Sequence, residues 1–169
     1  MKRNILCTLL AVLTLTVSAS IKDVRIYINP GHGSWGSEDR AMSTVKHGAI
    51  NYNDTTNFYE SNTNLQKGLA LFHKLKEYGM SHNAATARDL TQNLVMSHIK
   101  CGVSRGLTEI AAEAELNNFD MFISIHSNAA SEAALVNYLL FLYRGTNAAE
   151  GNAGSRAMAQ ACWPHIIEN

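Results

Sequence analysis

Two short apolar runs, residues 24–29 and 121–125, each have a histidine just past them, His32 after the first and His126 after the second. Val24-Arg25-Ile26-Tyr27-Ile28 alternates and is rich in β-formers, then meets Asn29-Pro30-Gly31-His32-Gly33, which cannot extend a regular strand. Parallel strands of one open sheet would project both imidazoles from the same carboxyl edge, where such sheets bind their ligands. The pattern therefore constrains fold and chemistry together, and it supplies half of a metal site.

Glu60 offers the third donor, at the start of a long helical pattern that continues through Asn64 and Leu65. Two neutral imidazoles and a carboxylate with one open position make a catalytic zinc set, since they hold the ion and leave a water ligand exposed. A carboxylate at a helix amino end is also favoured by the macrodipole without any metal, so Glu60 has a purely structural reading as well.

Between these points the elements follow from periodicity. Residues 34–58 are polar and rich in Gly, Asn and Asp, which predicts a long excursion bordering the site. Residues 61–78 place Leu65, Leu69 and Phe72 at helical spacing, and Gly79 supplies the stop. A short strand is expected at 83–88 or at 94–98, with no local signal to choose between them. Residues 107–118 predict a helix ended by Asn117-Asn118, and residues 119–125 a buried strand. A further strand is expected at 137–143 and a last helix at 154–163, ended by Pro164. The order predicts an α/β fold, an open, mostly parallel sheet with helices on both faces in three αβα layers.

The chain has 169 residues and 46% apolar composition, enough for one core and one domain spanning residues 20–169. Residues 1–19 read as a cleaved secretory signal: Lys2 and Arg3 lead an uncharged stretch over 5–17, and Val17-Ser18-Ala19 offers a small-residue cleavage site. That stretch is shorter than the roughly 20 residues a membrane span needs, so the mature protein is expected to be exported, to the periplasm or beyond, with no membrane span. Cleavage takes two of 14 basic residues and none of 14 acidic ones, leaving a formal charge of −2. No basic cluster or interleaved aromatic stripe is present, which argues against nucleic acid as a partner. Cys101 and Cys162 remain, and their spacing matches no thiolate zinc motif.

Three motifs in order resemble the zinc-dependent N-acetylmuramoyl-L-alanine amidases that trim bacterial cell wall. Asn29-Pro30-Gly31-His32-Gly33 is similar to the family's Asp-Pro-Gly-His-Gly. Glu60-Ser61-Asn62-Thr63-Asn64-Leu65 matches Glu-x-x-x-Asn-Leu, and Phe122-Ile123-Ser124-Ile125-His126-Ser127-Asn128-Ala129 resembles Phe-x-Ser-Ile-His-x-Asn-Ala. Arg105, Ser155 and Met158-Ala159 extend the likeness. The resemblance implies that His32, Glu60 and His126 bind Zn2+ and that the enzyme cuts the amide between N-acetylmuramic acid and L-alanine in peptidoglycan. Separately, a monomer is expected. Asn128 and Trp35 are the expected substrate contacts, with Tyr52 and Phe58 as further aromatic candidates in the excursion.

Two departures accompany the likeness. The link between His32 and Glu60 is longer than usual for the family, and the family's catalytic Glu on a later strand has no counterpart here; Glu168 arrives too early and lacks the following Gly-Phe. The general base is thus expected beyond Asn169, in a catalytic domain incomplete at its carboxyl end with the last strand region missing. The alternative is a non-catalytic, zinc-containing module that binds peptidoglycan. His47, His73, His82, His98 and His165 lie outside the motifs and are further candidate ligands; His73 reads most simply as a surface residue, and His47, in the excursion, could approach the metal.

Overall fold

The computed structural model describes residues 20–32, 44–46, 49–51, 60–100, 105–127 and 153–167. The chain divides into two compact units, residues 1–126 and 127–169. The first contains strands β1 (Ile26–Pro30), β2 (Thr44–Lys46), β3 (Ala49–Asn51), β4 (Leu94–Met96) and β5 (Met121–Ile125), with helices α1 (Glu60–Glu77) and α2 (Leu107–Leu116). The second contains helix α3 (Ala153–Ile167).

β1 lies between β4 and β5 and pairs in parallel with both, Ile26 meeting Leu94 on one side and Met121 on the other. The chain steps from β1 to β4, then crosses back to place β5 on the far side of β1. The two crossovers carry helices to opposite faces. Ile26, Ile28, Leu94 and Met96 point into a cluster with Leu65, Phe72 and Leu75 of α1. Tyr27 and Val95 point the other way, against Ile110 and Ala114 of α2. This is the expected open parallel α/β sheet with a helix on each face, and each fully buried Leu, Ile or Phe in it contributes about 1.5–3 kcal/mol.

Helix α1 ends as its sequence requires: Gly79 adopts φ 84°, and its N–H donates to Lys76 O at 2.8 Å. Helix α2 ends at Asn117, with Asn118 at φ 53°. Its inner face is tied down by charge as well as by packing. Glu113 accepts from Arg105 at 2.7 Å, from Arg88 at 3.0 Å and from the Tyr27 hydroxyl at 2.5 Å. Burial alone would raise the Glu113 carboxyl, but those hydrogen bonds override it and hold the group at about 2. Tyr27 is pushed up to about 12, by burial first and then by Glu113.

One open choice is decided and three expectations are revised. Of the two candidate strands, 94–96 is the strand and 83–88 is not. Asn83 Oδ1 accepts from the N–H groups of Ala85 and Thr86, and Ala87 sits at φ 50°, which curls the segment. The curled segment still serves the sheet, because Ala87 O and Ser81 O accept from Met96 N and Leu94 N along the outer side of β4. Strand β5 alternates instead of being buried throughout: Met121, Ile123 and Ile125 pack on the α1 cluster, while Phe122 is 44% exposed and stacks on Tyr27. Helix α3 runs through Pro164 to Ile167, although the ring leaves Gln160 O without its usual N–H partner. The excursion over 34–58 is not wholly irregular, for β2 and β3 form an antiparallel pair with Lys46 opposite Ala49. The strand expected at 137–143 and the signal at 1–19 lie outside the described residues.

Candidate metal centre

The carboxyl edge of the sheet brings His32, Glu60 and His126 together. β1 ends at Pro30, and Gly31 N donates to Ile125 O at 2.8 Å, prolonging the contact with β5 by one residue. His32 then turns away at φ 58°, a left-handed conformation that non-glycine residues rarely adopt. Such backbone persists where surrounding structure enforces it, and it concentrates at functional sites. His126 follows β5 immediately, and Glu60 is the first residue of α1.

One donor atom from each residue lies within 4.8 Å of the others. His32 Nε2 is 3.5 Å from Glu60 Oε2, and His126 Nδ1 is 3.6 Å from Glu60 Oε1. Tetrahedral ligands with bonds of about 2.1 Å stand about 3.4 Å from one another, so both separations suit donors that share an ion. The Glu60 side chain is 3% exposed, whereas those of His32 and His126 are 30% and 43% exposed. A buried carboxylate thus forms the floor and two imidazoles the rim, an arrangement able to hold a divalent cation with one face toward solvent.

Asn64, one turn along α1 and fully buried, steadies the floor. Its Nδ2 donates to Gly31 O at 3.3 Å and toward Glu60 Oε1 at 3.4 Å, coupling the loop that carries His32 to the carboxylate. This is the physical use of the Asn in Glu-x-x-x-Asn: on a helix, residues four apart share a face. Gly31 is required for a different reason, since a β-carbon there would strike the His126 ring.

The sequence reading missed a second set of polar residues on the α2 side of the same edge. Ser97 and His98, just after β4, join Asn29 of β1 and Ser124 of β5 in one hydrogen-bonded chain. The available signal was His98 itself, a third histidine just past a short apolar run. His73 is exposed on α1 and makes an edge contact with Phe72, while His82 Nδ1 lies 3.0 Å from Met80 O. His165 is exposed on α3, in the second unit. Trp35, His47, Tyr52, Phe58, Cys101, Asn128 and Glu168 lie outside the described residues.

The family model for N-acetylmuramoyl-L-alanine amidases matches residues 26–168. The chain belongs to this family. Comparison with curated proteins and with solved structures finds no match. This amidase is accordingly a hydrolase of peptidoglycan, and its three motif residues of donor type are the ones that meet at the sheet edge. Among the described residues no helix is long and apolar enough to cross a membrane.

Proposed function

We propose that this amidase is a zinc enzyme in which His32, Glu60 and His126 are the metal ligands, and that it acts outside the cytoplasmic membrane after export directed by residues 1–19. The observation that carries the reading is the convergence of three donors from β1, α1 and β5 within 4.8 Å. Two imidazoles and one carboxylate are the ligand chemistry zinc takes in hydrolytic sites. When bound there, zinc supplies a Lewis acid for the scissile carbonyl and lowers the pKa of a water toward about 7.

The chain's own residues fix where that chemistry happens. Glu60 brings one negative charge against the ion and leaves the site a net single positive charge, suited to an oxygen that becomes anionic in the transition state. Asn64 keeps the carboxylate facing the loop of His32. Asn128 and Trp35 are proposed to contact substrate, the former two residues after His126 and the latter three residues after His32 in sequence. The bond cut is the amide joining the lactyl group of N-acetylmuramic acid to L-alanine.

The test uses one purified batch of the chain for two readings, bound zinc per molecule and peptide release from purified sacculi. One equivalent of zinc, lost in His126→Ala together with peptide release, supports the proposal. Full zinc retention by His126→Ala would overturn the ligand assignment. Rapid release of L-alanine-linked peptides by this chain would exclude the alternative of a non-catalytic wall-binding module.

A further inference from the structure

All three described strands of the parallel sheet run into a histidine at the same edge: His32 after β1, His126 after β5, and His98 after β4. The candidate centre uses the first two. His98 is 5% exposed, and its Nε2 has no hydrogen-bond partner among the described residues. Its Nδ1, in contrast, lies 2.9 Å from Ser97 Oγ.

The direction of the chain follows from what each group can do. Ser97 Oγ donates its single proton to Asn29 Oδ1 at 2.8 Å, and Asn29 Nδ2 donates to Ser124 Oγ at 3.1 Å. With its proton committed, Ser97 can only accept from the ring, so His98 carries its proton on Nδ1 and a bare lone pair on Nε2. Burial lowers the pKa of the ring, and the guanidinium groups of Arg105 and Arg88 lower it further, which favours this neutral form. The ring is therefore a fixed donor.

The chain crosses all three strands where they enter the site. Asn29 belongs to the segment that turns through Gly31 into His32, and Ser124 is separated from His126 by Ile125 alone. An amide suits the middle position because it donates to one neighbour and accepts from the other, which locks its rotamer. We propose that His98, Ser97 and Asn29 are positioning residues for the metal centre, a hydrogen-bonded strut that sets the spacing of the β1 and β5 loops and hence of His32 and His126. The proposal rests on the ligand reading given above. Partners that orient metal-bearing groups at one remove are commonly worth 10–100-fold in metal affinity.

The experiment measures zinc affinity of the full chain by chelator competition, with the visible spectrum of the Co2+-loaded form as a report of ligand geometry. The unsubstituted chain is measured first: if it takes up no metal, the ligand reading fails and the strut is overturned with it. Given one equivalent, His98→Leu and Ser97→Ala are each expected to weaken zinc binding about tenfold and to shift the Co2+ spectrum alike. The double variant should be no weaker than the worse single one, because both break the same chain. His98→Asn, whose amide N–H replaces Nδ1–H and removes the orphaned Nε2, should restore affinity to within about twofold of the unsubstituted chain. Unchanged affinity in Ser97→Ala, which removes a single oxygen and so keeps the test usable if His98→Leu does not fold, overturns the proposal. So does a His98→Asn variant as weak as a chain lacking the donor.

Discussion

Gly31 and His126 approach so closely that a β-carbon on Gly31 would stand 2.2 Å from Cε1 of the His126 ring and 2.4 Å from its Nε2. The glycine before His32 therefore makes room for His126, and a sequence motif that looks local is a long-range packing requirement. In the proposed centre the ring cannot retreat freely, because its Nδ1 lies 3.6 Å from Glu60 Oε1 and would have to stay there to share an ion.

Gly31→Ala is accordingly expected to damage metal binding more than folding. Overpacking of this kind costs about 1–3 kcal/mol, whereas displacing a ligand ring should lower zinc affinity by at least tenfold. Chelator competition and urea denaturation on the same protein separate the two. Equal affinity in the variant would show that His126 is free to move.

Asn64→Leu tests the clamp beneath the carboxylate. The substitution keeps the volume but removes the donor to Gly31 O and Glu60 Oε1. Leaving a buried acceptor short of a partner costs about 1–3 kcal/mol, and loss of this hydrogen bond to the carboxylate should weaken zinc binding 10–100-fold. A variant that loses stability yet binds zinc normally would make Asn64 a residue of the fold alone.

These two residues mark where sequence reading reaches its limit. β1, α1, α2 and β5 were legible because their apolar period and their stops, Asn29-Pro30-Gly31, Gly79 and Asn117-Asn118, are written within each segment. The three donors were legible because strand ends and a helix start can be placed from such patterns. The choice between 83–88 and 94–98 was not, since both are short and the decision lies in pairing with β1, far along the chain. The His98 strut was illegible for the same reason: its contacts join residues 68 and 95 positions apart. Pro164 misled because a proline within a helix removes one i→i−4 bond without always ending the helix.

The Glu113 cluster sets a pH dependence whose sign is fixed. Its carboxyl is lowered from 4.5 to about 2 in the folded protein, so the unfolded chain binds the proton first. The stabilisation is complete above about pH 4.5 and is lost as the pH falls toward 2, amounting to about 3 kcal/mol in all. Glu113→Gln should lower stability at neutral pH by a comparable amount and flatten the acid limb between pH 4.5 and 2. Denaturant midpoints taken across that window give the slope directly, and an unchanged slope would mean that Arg88 and Arg105 hold the unfolded chain's carboxyl equally well.

Metal removal should act on folding through the same three donors, because an unfolded chain cannot hold His32, Glu60 and His126 within 4.8 Å of one another. Binding to the folded state alone stabilises it in proportion to the logarithm of free metal, about 4 kcal/mol when zinc exceeds its dissociation constant a thousandfold. Thermal unfolding with zinc in that excess, repeated after exhaustive chelation, should therefore show a lower midpoint without metal. The shift should vanish in His126→Ala, which keeps the sheet but leaves two donors. A shift of equal size in that variant would place the stabilising metal elsewhere on the chain, and would separate folding from the centre at the sheet edge.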